Sequence, residues 1–172
     1  MLNIMINDMT PELAVVKSIE ISASTNDVWR ALTEPDKIAQ WMRGARVESK
    51  WELGGDITFT GEMANFNKIY HDRGAVLAIE REKLLKYSHW TELSRLPDAP
   101  ENRTVITFSL DWTGAATRLT VRHERFYGKA AYKHANFFWS FALTDVKNLL
   151  ERCADLITPA AAEPLRSFLS QH

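Results

Sequence analysis

The sequence predicts an α+β domain, in which two short helices and one long C-terminal helix cover a curved, seven-stranded antiparallel sheet. The first observation behind this prediction is the strand-like alternation of residues 45–125, and the second is one long amphipathic helix near the C-terminus. The third is the shortness of the connections between consecutive strands. Strands joined by short loops pair antiparallel, because a parallel return needs a crossover of a dozen or more residues.

The first part of the chain predicts one strand followed by two short helices. Residues 13–22 alternate between apolar and polar side chains, which indicates a strand. Ser24 and Asp27 form a capping-box pattern at the start of a helix over residues 24–33. Pro35 interrupts that helix and begins a second one, since a proline in the first helical turn has no N–H to leave unpaired.

Six further strands follow in the middle of the chain. They are predicted over residues 47–53, 56–61, 69–80, 84–90, 104–112 and 117–125. Gly54-Gly55 predicts a hairpin between the first two, because glycine adopts the positive φ angles of a tight turn. Asp72-Arg73-Gly74 is interpreted as a bulge, and residues 92–102 as the longest loop.

The last regular element is predicted to be a helix over residues 132–153. Its apolar residues recur at helical spacing and form one face: Ala135, Phe138, Trp139, Ala142, Leu143, Val146, Leu149, Leu150 and Cys153. Phe137 and Phe141 lie at the edge of this face. They indicate either a protein interface, including a homodimer, or side chains that reach into a cavity, and both interpretations stay open.

The domain is predicted to cover residues 13–155. Residues 1–12 are expected to be a flexible N-terminus, and residues 156–172 a tail that is either disordered or forms a short helix. Lys and Arg number 21 against 22 Asp and Glu, so no positive field favours nucleic-acid binding. No apolar run approaches the ~20 residues of a membrane span. The single cysteine, Cys153, fits a reducing compartment, and a cytoplasmic location is expected.

Sequence motifs for catalysis, metal binding and cofactor binding are lacking. The five histidines show no H-x-x-x-H spacing, and no C-x-x-C pair occurs, so no metal site is predicted. The sequence has no P-loop or Rossmann glycine pattern and no G-x-S-x-G elbow. We therefore predict no cofactor and no catalytic residue, and a non-catalytic role is favoured over an enzyme.

The sheet and the long helix together predict a ligand cavity. A strongly curved sheet touches a straight helix only near its ends, and apolar cavities of this kind are typical ligand sites. The alternative is that the same side chains fill the space as ordinary core. The predicted lining residues are Phe59, Tyr87, His89, Phe108, Trp112, His123, Phe138, Trp139, Ala142, Leu143 and Val146.

Tyr87, His89 and His123 share strand faces with apolar neighbours, so they are the polar tips expected inside this cavity. Each histidine either bonds to a side chain of a neighbouring strand or to a water molecule, contacts a ligand, or acts as an acid or base. A shift of one residue in strand parity would turn all three side chains outward.

Several sequence stretches occur in the order found in one known family. They are Ile21-Ser22-Ala23, Asp27-Val28-Trp29-Arg30-Ala31-Leu32-Thr33, Pro35-Asp36, Gln40-Trp41, Leu53-Gly54-Gly55-Asp56, Arg73-Gly74-Ala75-Val76, Lys83-Leu84-Leu85-Lys86-Tyr87-Ser88, Thr117-Arg118-Leu119-Thr120-Val121, Trp139, Leu143, Val146-Lys147 and Leu149-Leu150-Glu151. Over residues 14–153 they closely resemble the START-like SRPBCC superfamily. Within it, they resemble the family named after the activator of heat-shock protein 90 ATPase.

This resemblance implies a helix-grip fold, as in the birch pollen allergen. It also implies structural roles for Trp29 and Trp41 as helix anchors, for Gly54-Gly55 as a turn and for Trp139 as the main knob of the long helix. Members of the superfamily commonly hold hydrophobic or amphipathic small molecules, and some are cyclases or hydrolases. The eponymous co-chaperone, a protein of the stress response, acts through a protein interface.

The leading functional prediction is a non-catalytic domain that binds a small hydrophobic or amphipathic ligand. One alternative is a co-chaperone-like module that binds a heat-shock protein 90-type chaperone. The other is a cyclase- or hydrolase-type enzyme that uses the cavity histidines. Fold alone does not decide among these three functions.

Overall fold

The computed structural model describes residues 13–63 and 68–155. Its regular elements are β1 (Val15–Ile21), α1 (Thr25–Thr33), α2 (Pro35–Trp41), β2 (Arg46–Ser49), β3 (Asp56–Met63), β4 (Lys68–Glu80), β5 (Leu84–Thr91), β6 (Thr104–Trp112), β7 (Thr117–Glu124) and α3 (Lys129–Asp155). The predicted order of one strand, two helices, six strands and a long helix is confirmed. The terminal segments predicted at residues 1–12 and 156–172 lie outside the described residues.

The seven strands form one sheet in the order β1-β7-β6-β5-β4-β3-β2, and every neighbouring pair is antiparallel. The first strand therefore lies beside the last, and α1 and α2 connect the two opposite edges of the sheet. Helix α3 contacts β1, α1 and α2. This arrangement is the predicted helix-grip fold.

The two short helices begin and pack as their sequence predicts. The Ser24 hydroxyl accepts a hydrogen bond from the Asp27 backbone N–H at 3.1 Å and donates one to the Asp27 carboxylate at 2.7 Å. The indole N–H of Trp41 donates to the Ala31 carbonyl at 2.9 Å and so joins α2 to α1. A buried indole that finds such a partner fixes the orientation of its ring.

Strand β2 is shorter than predicted, since it ends at Ser49 rather than continuing to residue 53. Trp51 adopts a positive φ of 51°, which takes the backbone out of the extended conformation. Its indole N–H donates to the Thr33 carbonyl at 2.7 Å, so this turn is attached to α1. The predicted hairpin is nevertheless formed, with Gly54 at a φ of 77°.

The bulge predicted at Asp72-Arg73-Gly74 is wrong, because the register of β4 against β5 shifts between Val76 and Ala78. Val76 donates to the Gly55 carbonyl and accepts from the Gly54 N–H, both at 2.9 Å. Gly74 has a different role, since a Cβ there would clash with the Ser88 carbonyl oxygen of β5. The glycine permits close approach of two backbones within regular pairing.

Two further differences concern exposed ends. Helix α3 begins at Lys129, three residues before the predicted start, because its first turn faces solvent and carries no apolar periodicity. Trp112 was predicted to line the interior, but it is 56% exposed. It is the last residue of β6, beside the exposed turn at residues 113–115, and therefore does not line the core.

Replacing Gly74 with Ala should destabilise the protein by about 3 kcal/mol or more, because the new Cβ meets a backbone oxygen that cannot move aside. Gly128→Ala is the matched control, since nothing lies within 4 Å of a Cβ there. We expect that control to change the free energy of unfolding by about 1 kcal/mol or less. Urea unfolding followed by circular dichroism measures both, and equal effects would contradict the close-approach role of Gly74.

Candidate functional site

The interior between the sheet and α3 is occupied by a series of aromatic rings. The ring centroids of Phe59 and Tyr87 are 6.1 Å apart, those of Tyr87 and Phe108 are 6.3 Å apart, and those of Phe108 and Trp139 are 5.5 Å apart. Leu143 and Val146 of α3 are buried in the same core. The structure thus brings these six predicted lining residues together as packed side chains.

Open space lies at the margin of this core, in a groove of about 260 Å³ beside α3. Phe138 and Ala142 are the predicted lining residues that border it. The full lining comes from α3, β3, β4 and the end of α2: Trp41, Met42, Arg43, Glu62, Tyr70, His134, Phe137, Phe138, Phe141, Ala142 and Asp145. The groove is therefore lined by aromatic rings together with a few charged side chains.

Phe137 and Phe141 form the outer wall of the groove. Their ring centroids are 4.8 Å apart, and the residues are 67% and 48% exposed. The two interpretations of this pair, a protein interface and the side of a cavity, both fit its position.

Tyr70 is a groove residue that sequence reasoning missed. A Cβ on Gly61 would clash with the Tyr70 ring, so this glycine allows the tyrosine to lie across β3. Burial raises the pKa of Tyr70, and the nearby Asp72 carboxylate raises it further. The hydroxyl therefore stays protonated and can donate a hydrogen bond.

A carboxylate–imidazole pair lies on the same face of the sheet. Nε2 of His89 donates to the Asp72 carboxylate at 3.1 Å, and the other carboxylate oxygen accepts from the Glu92 N–H at 3.2 Å. Asp72 is only 8% exposed, so its carboxylate needs hydrogen-bond donors in place of water, and these two groups supply them. Sequence reasoning missed Asp72, although its parity with Gly74 and Val76 indicates an inward side chain.

Tyr127 also lies close to Asp72. Burial raises the pKa of Tyr127, the Asp72 charge raises it further, and a hydrogen bond with Ser94 opposes both effects. Tyr87 lies deeper in the core, and burial alone raises the pKa of its hydroxyl strongly. These tyrosines therefore remain uncharged near neutral pH.

A residue of the long helix holds His123 in one tautomer. The indole N–H of Trp139 lies 3.1 Å from Nδ1 of His123. An indole nitrogen can only donate, so Nδ1 accepts and the ring proton of a neutral imidazole is on Nε2. Burial, followed by the charge of His89, lowers the pKa of His123 to about 3, so the ring is neutral at pH 7.

Nε2 of His123 is the unusual atom of this interior. It is buried and, within the part of the chain that the structure describes, it has no hydrogen-bond partner. The residue as a whole is 8% exposed. A buried donor without a partner loses about 1–3 kcal/mol of solvation, so such atoms are rare in native proteins.

The described residues, 13–63 and 68–155, contain no group of three His, Cys, Asp or Glu side chains placed to hold a metal ion. Among the helices of the same residues, none is both long enough and apolar enough to cross a bilayer.

The model of one protein family, Activator of Hsp90 ATPase homolog 1-like protein, matches residues 22–151. A comparison with curated proteins gives no significant match.

Solved structures with the same fold are numerous. ChR145 from Cytophaga hutchinsonii is 30% identical with a TM-score of 0.71, and the match covers 84% of this chain and 97% of that one. MLL2253 from Mesorhizobium loti is 26% identical with a TM-score of 0.66, over 81% and 97% of the two chains. The Aha1 dimer from Colwellia psychrerythraea is 21% identical with a TM-score of 0.65, over 80% and 96%, and shows the shared fold.

The low pKa of His123 predicts a loss of stability in acid. An unfolded histidine binds a proton below pH ~6.5, whereas folded His123 does so only near pH 3. Its contribution to stability is therefore complete above pH ~6.5 and falls by about 1.4 kcal/mol per pH unit toward pH 3. His123→Phe should reduce the difference in unfolding free energy between pH 7 and pH 5 by about 2 kcal/mol.

Denaturant unfolding at the two pH values measures this difference. The exposed His71 provides the control variant His71→Phe, which should keep the pH dependence of the original chain. An unchanged pH dependence in His123→Phe would show that His123 titrates normally in the folded protein.

Proposed function

The chain belongs to the family of Activator of Hsp90 ATPase homolog 1-like proteins, and from this premise we propose that it is a non-catalytic START-like domain. It binds a small amphipathic, largely apolar ligand in the groove between α3 and the sheet. The observation that carries the proposal is a groove of about 260 Å³ with an aromatic lining at the margin of an otherwise packed core.

The size of the groove supports a small ligand. Sites for drug-sized molecules usually enclose about 300–1,000 Å³, and this groove is slightly smaller. Its aromatic rings supply a large apolar contact area, and each side chain has few rotatable bonds to immobilise on binding.

The charged residues around the groove support an amphipathic ligand. Arg43, Glu62, His134 and Asp145 border the same space as the aromatic rings. A mostly apolar lining with a few polar groups both binds a ligand and fixes its orientation. The apolar part of the ligand would contact the rings, while a polar end would face these side chains.

The state of His123 supports the non-catalytic part of the proposal. A general base needs a free lone pair and a pKa near the working pH. In His123 the Nδ1 lone pair accepts from Trp139, and the pKa is lowered to about 3. The cyclase- or hydrolase-type alternative would therefore have to rely on His89 with Asp72.

A co-chaperone role is the second candidate. The matching family model carries the name of an Hsp90 ATPase activator, and Phe137 and Phe141 form an exposed aromatic pair on α3. Exposed apolar patches are typical of protein interfaces. The same two side chains border the groove, so ligand binding and partner binding would compete for them.

Ligand-observed NMR against a panel of fatty acids and aromatic metabolites tests the leading proposal. We expect at least one binder, and the double variant Phe137→Ser/Phe141→Ser should weaken it by about tenfold or more, because the outer wall loses its apolar area. Both residues are exposed, so the fold should persist.

Trp112→Ser is the matched control, since Trp112 is an exposed aromatic residue away from the groove. It should leave ligand binding unchanged. If no member of the panel binds, or if Trp112→Ser weakens binding as strongly as the groove variant, the proposed site is wrong.

Hsp90 ATPase measurements separate the two candidates. Under the ligand-binding proposal, the purified chain should leave the ATPase rate of the cell's own Hsp90 unchanged. Stimulation that is lost in Phe137→Ser/Phe141→Ser but kept in Trp112→Ser would instead establish the co-chaperone role.

A further inference from the structure

On the basis of the proposed function, we infer that the Nε2–H group of His123 donates a hydrogen bond to an uncharged oxygen of the ligand, such as a carbonyl or ether oxygen. This inference adds a buried polar subsite to the apolar groove. It also names the chemical class of the ligand, an apolar molecule with one neutral hydrogen-bond acceptor.

The protein itself sets both the tautomer and the ring orientation of His123. Trp139 donates to Nδ1 at 3.1 Å and thereby keeps the ring proton on Nε2. The His123 ring also packs against Phe126, with ring centroids 4.5 Å apart. The donor is therefore preorganised, so a ligand does not have to select a tautomer or order the ring when it binds.

The donor is also left without an acceptor. Nε2 is buried and has no partner within residues 13–63 and 68–155, and the residue is 8% exposed. The carboxylate and imidazole of the nearby Asp72–His89 pair, by contrast, are hydrogen-bonded to each other at 3.1 Å. An acceptor supplied from outside would therefore remove the cost of the unpaired donor.

The surroundings favour an uncharged acceptor over a carboxylate. The rings packed around His123 are those of Phe126 and Trp139, and neither carries a charge. His89 is the titratable side chain that influences His123, and it is already paired with the Asp72 carboxylate. A buried ligand carboxylate would thus lack a free counter-ion, which is unfavourable in an apolar interior.

Phe138 lies beside both the groove and the Trp139–His123 pair. Its ring lines the groove and contacts Trp139 edge-on, with ring centroids 4.9 Å apart. Trp139 in turn contacts His123. Rotamer changes of side chains on binding are common, and rotation of the partly buried Phe138 would allow an apolar ligand to extend from the groove toward His123.

A matched pair of probes tests the inference, namely 2-acetylnaphthalene and 2-ethylnaphthalene. They have nearly the same shape and differ in whether a carbonyl oxygen or a methylene group is present. We expect the ketone to bind about tenfold more tightly, the ratio expected for one net hydrogen bond.

Histidine labelled with ¹⁵N provides a direct measurement on the unmodified chain. His123 should show the Nε2–H tautomer without ligand, and its Nε2–H proton should shift downfield with the ketone but not with the hydrocarbon. An Nδ1–H tautomer would overturn the inference. So would a long-lived water molecule that remains hydrogen-bonded to Nε2–H while the ketone is bound.

His123→Phe removes the donor while keeping an aromatic ring. The ketone should then lose its tenfold advantage, while the affinity for 2-ethylnaphthalene stays within about twofold. In Trp139→Phe the tautomer is no longer fixed, so the ¹⁵N signals should report a mixture and the ketone's advantage should shrink. His71→Phe, an exposed substitution, should change neither affinity.

These outcomes separate the subsite from the groove. Equal affinities for the two probes in the unmodified chain would overturn the His123 subsite and leave the groove supported. Binding of neither probe would count against the groove itself, and the subsite would be rejected with it.

Discussion

The hydrogen bond from the Trp139 indole to Nδ1 of His123 is the interaction on which the interior depends. It joins α3, which carries Trp139, to β7, which carries His123. Trp139 also packs edge-on against Phe108, with an interplanar angle of 81°, so the same ring contributes to the apolar core. If this bond were broken, a buried donor and a buried acceptor would both lose their partner, which costs more than the bond itself contributes.

Two other indole N–H groups also join separate elements by a hydrogen bond. Trp41 bonds to Ala31 and Trp51 to Thr33, so α2 and the turn after β2 are both attached to α1. Within the described residues, Nε2 of His123 is by contrast a buried side-chain atom without a hydrogen-bond partner. Open space is left where residues of α3 face Glu62 of β3 and Tyr70 of β4. Gly61 leaves room for the Tyr70 ring to lie across β3.

The candidate site was only partly predictable. Phe138 and Ala142 follow from helical periodicity, and His89 and His123 from strand parity with apolar neighbours. Asp72 was missed because a bulge was assumed at its position, and a bulge cancels parity arguments. Tyr70, Arg43 and Glu62 lie on three separate segments and meet only through the pairing of β3 with β4 and the position of α2.

The sequence alone determined the order of elements, the antiparallel pairing and the inward face of α3, because periodicity, capping residues and short turns are local properties. The tertiary structure decided where space remains. Whether two apolar surfaces fill the space between them depends on the volumes and angles of side chains from distant segments. No local sequence pattern contains that information. For the same reason, only the fold reveals that Trp139 fixes the proton of His123 on Nε2 and leaves that donor buried and unpaired among the described residues.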